Sequence, residues 1–165
     1  MEIAVRNSQR SIKANPHSIR HTIAYALKHL SGGNRIRGVN LAAGVSFDPS
    51  EAIISVLLVG DRRMRELNRS YRGIDRTTDV LSFSQLEGSS IITESADLGD
   101  IVISPAQAMR QACERGVSLE QELTLLLIHG LLHLIGYDHE KSRYQESRMK
   151  AKEKELMNAF KTMGR

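Results

Sequence analysis

The run His129-Gly130-Leu131-Leu132-His133-Leu134-Ile135-Gly136-Tyr137-Asp138-His139 carries three histidines in the spacing H-x-x-x-H-x-x-G-x-x-H. Side chains four residues apart on a helix share one face, roughly 5–6 Å apart at Cβ. His129 and His133 can therefore present their imidazoles to a common point. Gly136 can take the left-handed conformation that ends a helix and turns the chain back, which brings His139 round as a third ligand. Three imidazoles suit zinc, and three protein ligands leave one tetrahedral position open, the mark of a catalytic rather than a structural site. The expected cofactor is one Zn2+ per chain, held by His129, His133 and His139.

One position departs from the zinc peptidases that share this spacing. Those enzymes carry a glutamate general base directly after the first histidine, and here that residue is Gly130. Peptide hydrolysis is therefore disfavoured. Asp138 is the nearest carboxylate in sequence, and three roles stay open for it: a proton acceptor, a group that orients a ligand histidine, or a solvent-facing side chain.

A second concentration of chemistry lies upstream. Residues 61–76 hold six arginines (62, 63, 65, 69, 72 and 76) against three acids, Asp61, Glu66 and Asp75. Guanidinium forks suit phosphate oxygens, although such a helix can equally be a solvated face. Arg72 stands apart because it falls at the end of the helix, just before a strand. Asp79, just before that strand, is ambiguous, since an Asp in that place usually makes turn hydrogen bonds. The acids Glu146, Glu153 and Glu155 near the C-terminus nearly balance the basic residues there and read as a solvated face. Four Tyr, three Phe and no Trp argue against an aromatic platform that reads a long stretch of bases.

These groups need a scaffold. A chain of 165 residues fits one domain, 1–165, able to bury about 70% of its unfolded surface. The net charge of +4 leans towards an anionic partner. A single cysteine, Cys113, excludes an internal disulfide and suits a reducing compartment; it reads as a packing residue. The N-terminus lacks an apolar signal segment. The apolar run 123–135 would span only about 20 Å as a helix, against the ~30 Å of a bilayer core. A cytoplasmic protein with no membrane partner is expected.

Residues 2–6 alternate as a strand, Asn15 and Pro16 open a helix that Gly32-Gly33 close, and 52–59 read as a strand with little polar face. Residues 31–49 read as a surface connection with one short extended piece. Asp61 is placed to cap the arginine-rich helix, which Gly73 ends. Strands at 80–83 and 98–104, joined by a polar loop at 85–96 rather than a helix, suggest an antiparallel pair. Ser104-Pro105 opens a helix stopped by Gly116. Ser118 with Gln121 makes a capping box for the histidine helix, and Ser142 with Gln145 starts a last helix whose apolar stripe includes Met149, Leu156, Phe160 and Met163. The fold expected is α+β: a mixed sheet of about four strands packed with about five helices, a zincin-like metal helix at the centre.

Two stretches complete a pattern with the histidine run: residues 67–83, Leu-Asn-Arg-Ser-Tyr-Arg-Gly-Ile-Asp-Arg-Thr-Thr-Asp-Val-Leu-Ser-Phe, and residues 98–104, Leu-Gly-Asp-Ile-Val-Ile-Ser. In this order and at these distances the chain resembles the YbeY family of bacterial endoribonucleases, also described as rRNA maturation factors. The resemblance implies a zinc-dependent, single-strand-specific endoribonuclease that matures the 3′ end of 16S rRNA and takes part in ribosome quality control. Its partners would be single-stranded RNA, the small-subunit rRNA or ribosome, and ribosome-associated proteins. It also implies that His129, His133 and His139 ligate zinc and that Arg72, with His129, serves the catalytic cleft. The family often has proline where this chain has Thr77 and Ser84; both lie in turns and leave the histidines undisturbed. The nucleophile, a metal-activated water or the RNA 2′-hydroxyl, stays open.

Overall fold

The computed structural model describes residues 1–37, 46–86, 96–138 and 142–163. Along the chain run β1 (Glu2–Asn7), α1 (Pro16–Ser31), the short β2 (Ile36–Arg37) and β3 (Ser46–Phe47), β4 (Ala52–Leu58), α2 (Asp61–Arg72), β5 (Val80–Ser84), β6 (Ala96–Ile103), α3 (Pro105–Arg115), α4 (Leu119–Leu134) and α5 (Arg143–Met163). The architecture is the expected α+β layer. Four strands form one mixed sheet in the order β1-β4-β6-β5. β1, β4 and β6 run parallel, while β5 lies antiparallel to β6 and, among the described residues, forms the edge of the sheet.

The two faces of the sheet are covered differently. Alternation along a strand sends successive side chains to opposite faces. Ile54, Val56 and Leu58 of β4, with Ile101 and Ile103 of β6, enter the large core built with α1, α4 and α5. Leu57, Leu81, Phe83 and Val102 face the other way, into a small cluster with Met64 and Leu67 of α2. α4 packs against α1, α3, α5, β5 and β6, which makes it the central helix. Leu127, Ile128, Leu131 and Leu132 are all but inaccessible, each burial contributing about 1.5–3 kcal/mol before the cost of ordering. Ser118 starts the helix as expected: its Oγ accepts from Gln121 N at 3.1 Å, and Gln121 Oε1 accepts from Ser118 N at 3.0 Å.

Two glycines set the spacing around β5. Gly99 has φ +115°, and a Cβ there would lie 2.0 Å from Phe83 O, so only glycine lets β5 and β6 approach this closely. Gly130 is pressed against the sheet: a Cβ would meet Ile101 Cγ2 at 2.9 Å and Ser82 Oγ at 3.1 Å. Its φ is ordinary, so it is a glycine for closeness, not for conformation.

Four expectations need correction. Asp61 does not cap α2. Gly60 occupies that position, and Asp61 instead accepts from Ser104 Oγ at 2.7 Å and pairs with Arg110 at 2.8 Å, which ties α2 to α3. The stretch 31–49 holds two extended pieces rather than one, paired antiparallel, and Ile36 and Phe47 join the core because the pair folds its apolar side inward. Cys113 is exposed, since α3 buries the face carrying Ala108 and Ala112. Glu153 does not belong to the solvated face expected on the last helix, as the site shows. Of the loop expected at 85–96, residues 87–95 lie outside the described residues.

Candidate active site

A cleft of about 500 Å³ opens along β5. Val80, Leu81, Ser82 and Phe83 of β5 line its length. His129 and His133 of α4, with Tyr137 and Asp138 beyond the helix end, stand on one side, and Tyr71 and Arg72 from the C-terminal turn of α2 on the other. The edge strand thus separates a histidine wall from an arginine wall.

On the histidine wall the four-residue spacing does what it promised. Nε2 of His129 and Nε2 of His133 converge to 3.1 Å. Two ligands of a tetrahedral zinc stand roughly 3.3 Å apart, given Zn–N bonds of about 2.05 Å, so the pair fits the ion. The other nitrogen of His129 is already committed. Its Nδ1 donates to Glu153 Oε1 at 2.5 Å, with the two side chains 27% and 18% exposed. A carboxylate in this position fixes the tautomer that leaves the Nε2 lone pair facing a metal. Glu153, expected in a solvated face, is therefore part of the site. Its signal in the sequence was weak: one glutamate among several on a charged helix, and only tertiary packing of α5 on α4 picks it out.

Among the described residues these two histidines form a pair rather than a cluster of three metal-ligating side chains. His139 lies outside the described residues. It directly follows Asp138, which lines the cleft. Gly136 has φ +94°, and Gly136 N donates to His133 O at 2.9 Å, so the chain turns back where the spacing predicted.

The absence of a carboxylate at 130 has a steric cause. Gly130 packs against Ile101 and Ser82, and a side chain there would press on the sheet. Asp79 also lines the cleft, yet it bonds as a turn residue. Its Oδ1 accepts from Val80 N at 2.7 Å and its Oδ2 from Gln111 Nε2 at 2.9 Å. Ser84, in place of the common proline, donates from Oγ to Leu134 O at 2.8 Å, which fastens β5 to the end of the histidine helix.

The arginine wall is more open. Glu66 pairs with Arg62 and Arg63, and Asp75 takes a two-pronged contact from Arg65 at 2.8 and 3.0 Å. These contacts hold the Glu66 and Asp75 carboxyls below their usual range, chiefly through hydrogen bonds from Arg63 and Arg65 respectively. Of the six arginines, Arg72 alone lines the cleft; it is the last residue of α2, before Gly73 turns the chain at φ +70°.

A mixed sheet ending in β5, a buried central helix bearing a histidine pair and an arginine opposite define an α+β class of site. The comparisons give that class a family. The family model described as Endoribonuclease YbeY matches residues 2–161, and the chain belongs to that family. A relative from Geobacter metallireducens, named Endoribonuclease YbeY, is 38% identical over 99% of both chains. Another of that name from Desulfitobacterium hafniense is 47% identical over 67% of this chain and 77% of its own. The solution structure of TM1509 from Thermotoga maritima is similar with a TM-score of 0.53 at 25% identity, covering 97% of this chain and 92% of that one. Among the described residues, no helix is long and apolar enough to cross a membrane.

Proposed function

We propose that this protein is a zinc-dependent endoribonuclease that cuts single-stranded RNA, acting in the cytoplasm on small-subunit rRNA during 3′ end maturation and ribosome quality control. One observation carries the reading: the convergence of the His129 and His133 Nε2 atoms in the same cleft as Arg72, in a chain of the YbeY family. His129, His133 and His139 would hold the ion. When bound, zinc supplies Lewis-acid polarisation of phosphate oxygens at neutral pH.

The chain's own residues do the rest. Glu153 orients His129. Arg72 takes the phosphate, its planar fork matching two oxygens where a lysine would offer a point charge. The walls of the cleft admit an extended strand along the β5 edge. Asp79 is committed to its turn, so proton movement falls to Asp138 or to solvent. Gly130 excludes the glutamate base of the zinc peptidases by packing.

The test uses purified protein, matched single-stranded and fully paired RNA, and an unstructured peptide. Close to one zinc per chain, cleavage of the single strand alone, and loss of cleavage with a chelator that zinc restores are expected. Peptide turnover, or equal cutting of both RNAs, would sink the assignment.

A further inference from the structure

The apolar stripe of α2 runs past the surface it is meant to cover. Met64 is fully buried and Leu67 packs into the same small cluster. Tyr71, one helical turn further on the same face, is 67% exposed. The helix overhangs the edge strand there, and among the described residues the one ring that meets Tyr71 is that of Phe83, 4.8 Å away between centroids with the planes at 62°. That contact holds the ring by one side and leaves most of it open. Both aromatics line the cleft with Arg72, His129 and His133.

The other tyrosines near this end of the molecule are differently engaged. Arg148 lies over the rings of Tyr137 and Tyr144, 5.8 and 5.7 Å from their centroids, so a cation already uses them. Tyr144 is exposed but is not among the cleft-lining residues. Among the described residues, Tyr71 is the exposed aromatic of the cleft itself.

We propose that Tyr71, steadied by Phe83, is a stacking platform for one unpaired base beside the phosphate held by Arg72. The proposal rests on the single-stranded RNA reading and adds a source for its strand preference. An aromatic ring accepts the face of any base, so the platform tolerates sequence. A base inside a duplex has both faces occupied by its neighbours and cannot reach it. Discrimination against paired RNA then comes from a lost stacking partner as well as from the shape of the cleft. Adjacent positions on one helix end place the ring and the guanidinium where a base and its own phosphate can be held together. Few aromatics in the sequence spoke against a long base-reading platform; a single well-placed ring is a different device.

The experiment follows binding and single-turnover cleavage of a single-stranded oligoribonucleotide carrying 2-aminopurine or an abasic site at successive positions around its cut. Parent, Tyr71→Phe and Tyr71→Leu are compared as zinc-loaded proteins. In the parent, 2-aminopurine fluorescence should be quenched at one position, and an abasic site there should weaken binding on the order of 10- to 100-fold. Tyr71→Phe keeps the ring and should keep the quench. Tyr71→Leu should lose the quench and bind 10- to 100-fold more weakly at unchanged zinc content and thermal midpoint. It should also be indifferent to the abasic site, because the partner is already gone. A leucine variant as sensitive to the abasic site as the parent, or one that binds equally well, overturns the platform while leaving the nuclease reading intact. A parent that neither binds nor cuts the oligonucleotide overturns both.

Discussion

α4 and α2 flank the same edge strand and solve opposite problems. α4 is sunk in the core, with Leu127, Ile128, Leu131 and Leu132 all but inaccessible, and it shows the cleft two histidines. α2 buries Met64 and Asn68 and holds Arg62, Arg63 and Arg65 in exposed ion pairs. Ligands for a small ion must be held to a few tenths of an ångström, which needs close packing and supporting hydrogen bonds. A phosphate chain is long, flexible and charged, and mobile guanidinium groups can meet it at little cost in precision. Under the proposed function, rigidity on one wall and reach on the other would follow from what each holds.

Substitutions should divide along that line. The largest effect is expected on the rigid wall: His133→Ala should remain folded yet lose most of its zinc and all cleavage above background, read by metal analysis and circular dichroism. A variant that keeps its full metal would dissolve the contrast, because α4 would then have no special task. Glu153→Gln should follow, with zinc affinity falling about 10- to 100-fold in chelator competition, at little change in fold. Zinc binding indistinguishable from the parent would return Glu153 to the solvated face.

On the open wall, Arg72→Lys keeps the charge and loses the fork. Cleavage should drop about 10-fold, the worth of one charge-assisted bond, at constant zinc; equal rates would place Arg72 with the ordinary surface arginines. The smallest effect is expected at Arg69→Ala, which should weaken RNA binding uniformly across sequences and flatten its logarithmic salt dependence by about 0.7, one phosphate contact on a single strand. A sequence-selective defect there would mean that α2 reads bases as well as backbone.

How much of this could be read beforehand divides in the same way. Local signals were explicit: the Ser118 capping box, Pro16 and Pro105 at helix starts, and the four-residue histidine spacing all act within a few residues of chain. The pairing of β5 with β6 was legible because no helix separates them. What failed depended on distant partners. Asp61 looks like a cap until Ser104 and Arg110, over forty residues away in sequence, claim its oxygens. Cys113 looks like core because nothing local says which face of α3 meets α4. Glu153 could not be told from Glu146 or Glu155 without knowing how α5 lies on α4. That position 130 is glycine is plain in the sequence, but its close contact with Ile101 is tertiary.

The bond between Glu153 and His129 joins residues 24 apart in sequence, and it therefore closes a ring of chain. His139 lies within that ring. Under the proposed zinc chemistry, an ion seated on His129 and His133 meets the third imidazole as a tethered group, at an effective concentration on the order of millimolar, not as an independent encounter. The same closure makes zinc occupancy and the docking of the last helix two readings of one equilibrium. Whatever peels α5 from α4 must loosen the ion, and by reciprocity the bound ion must hold α5 down.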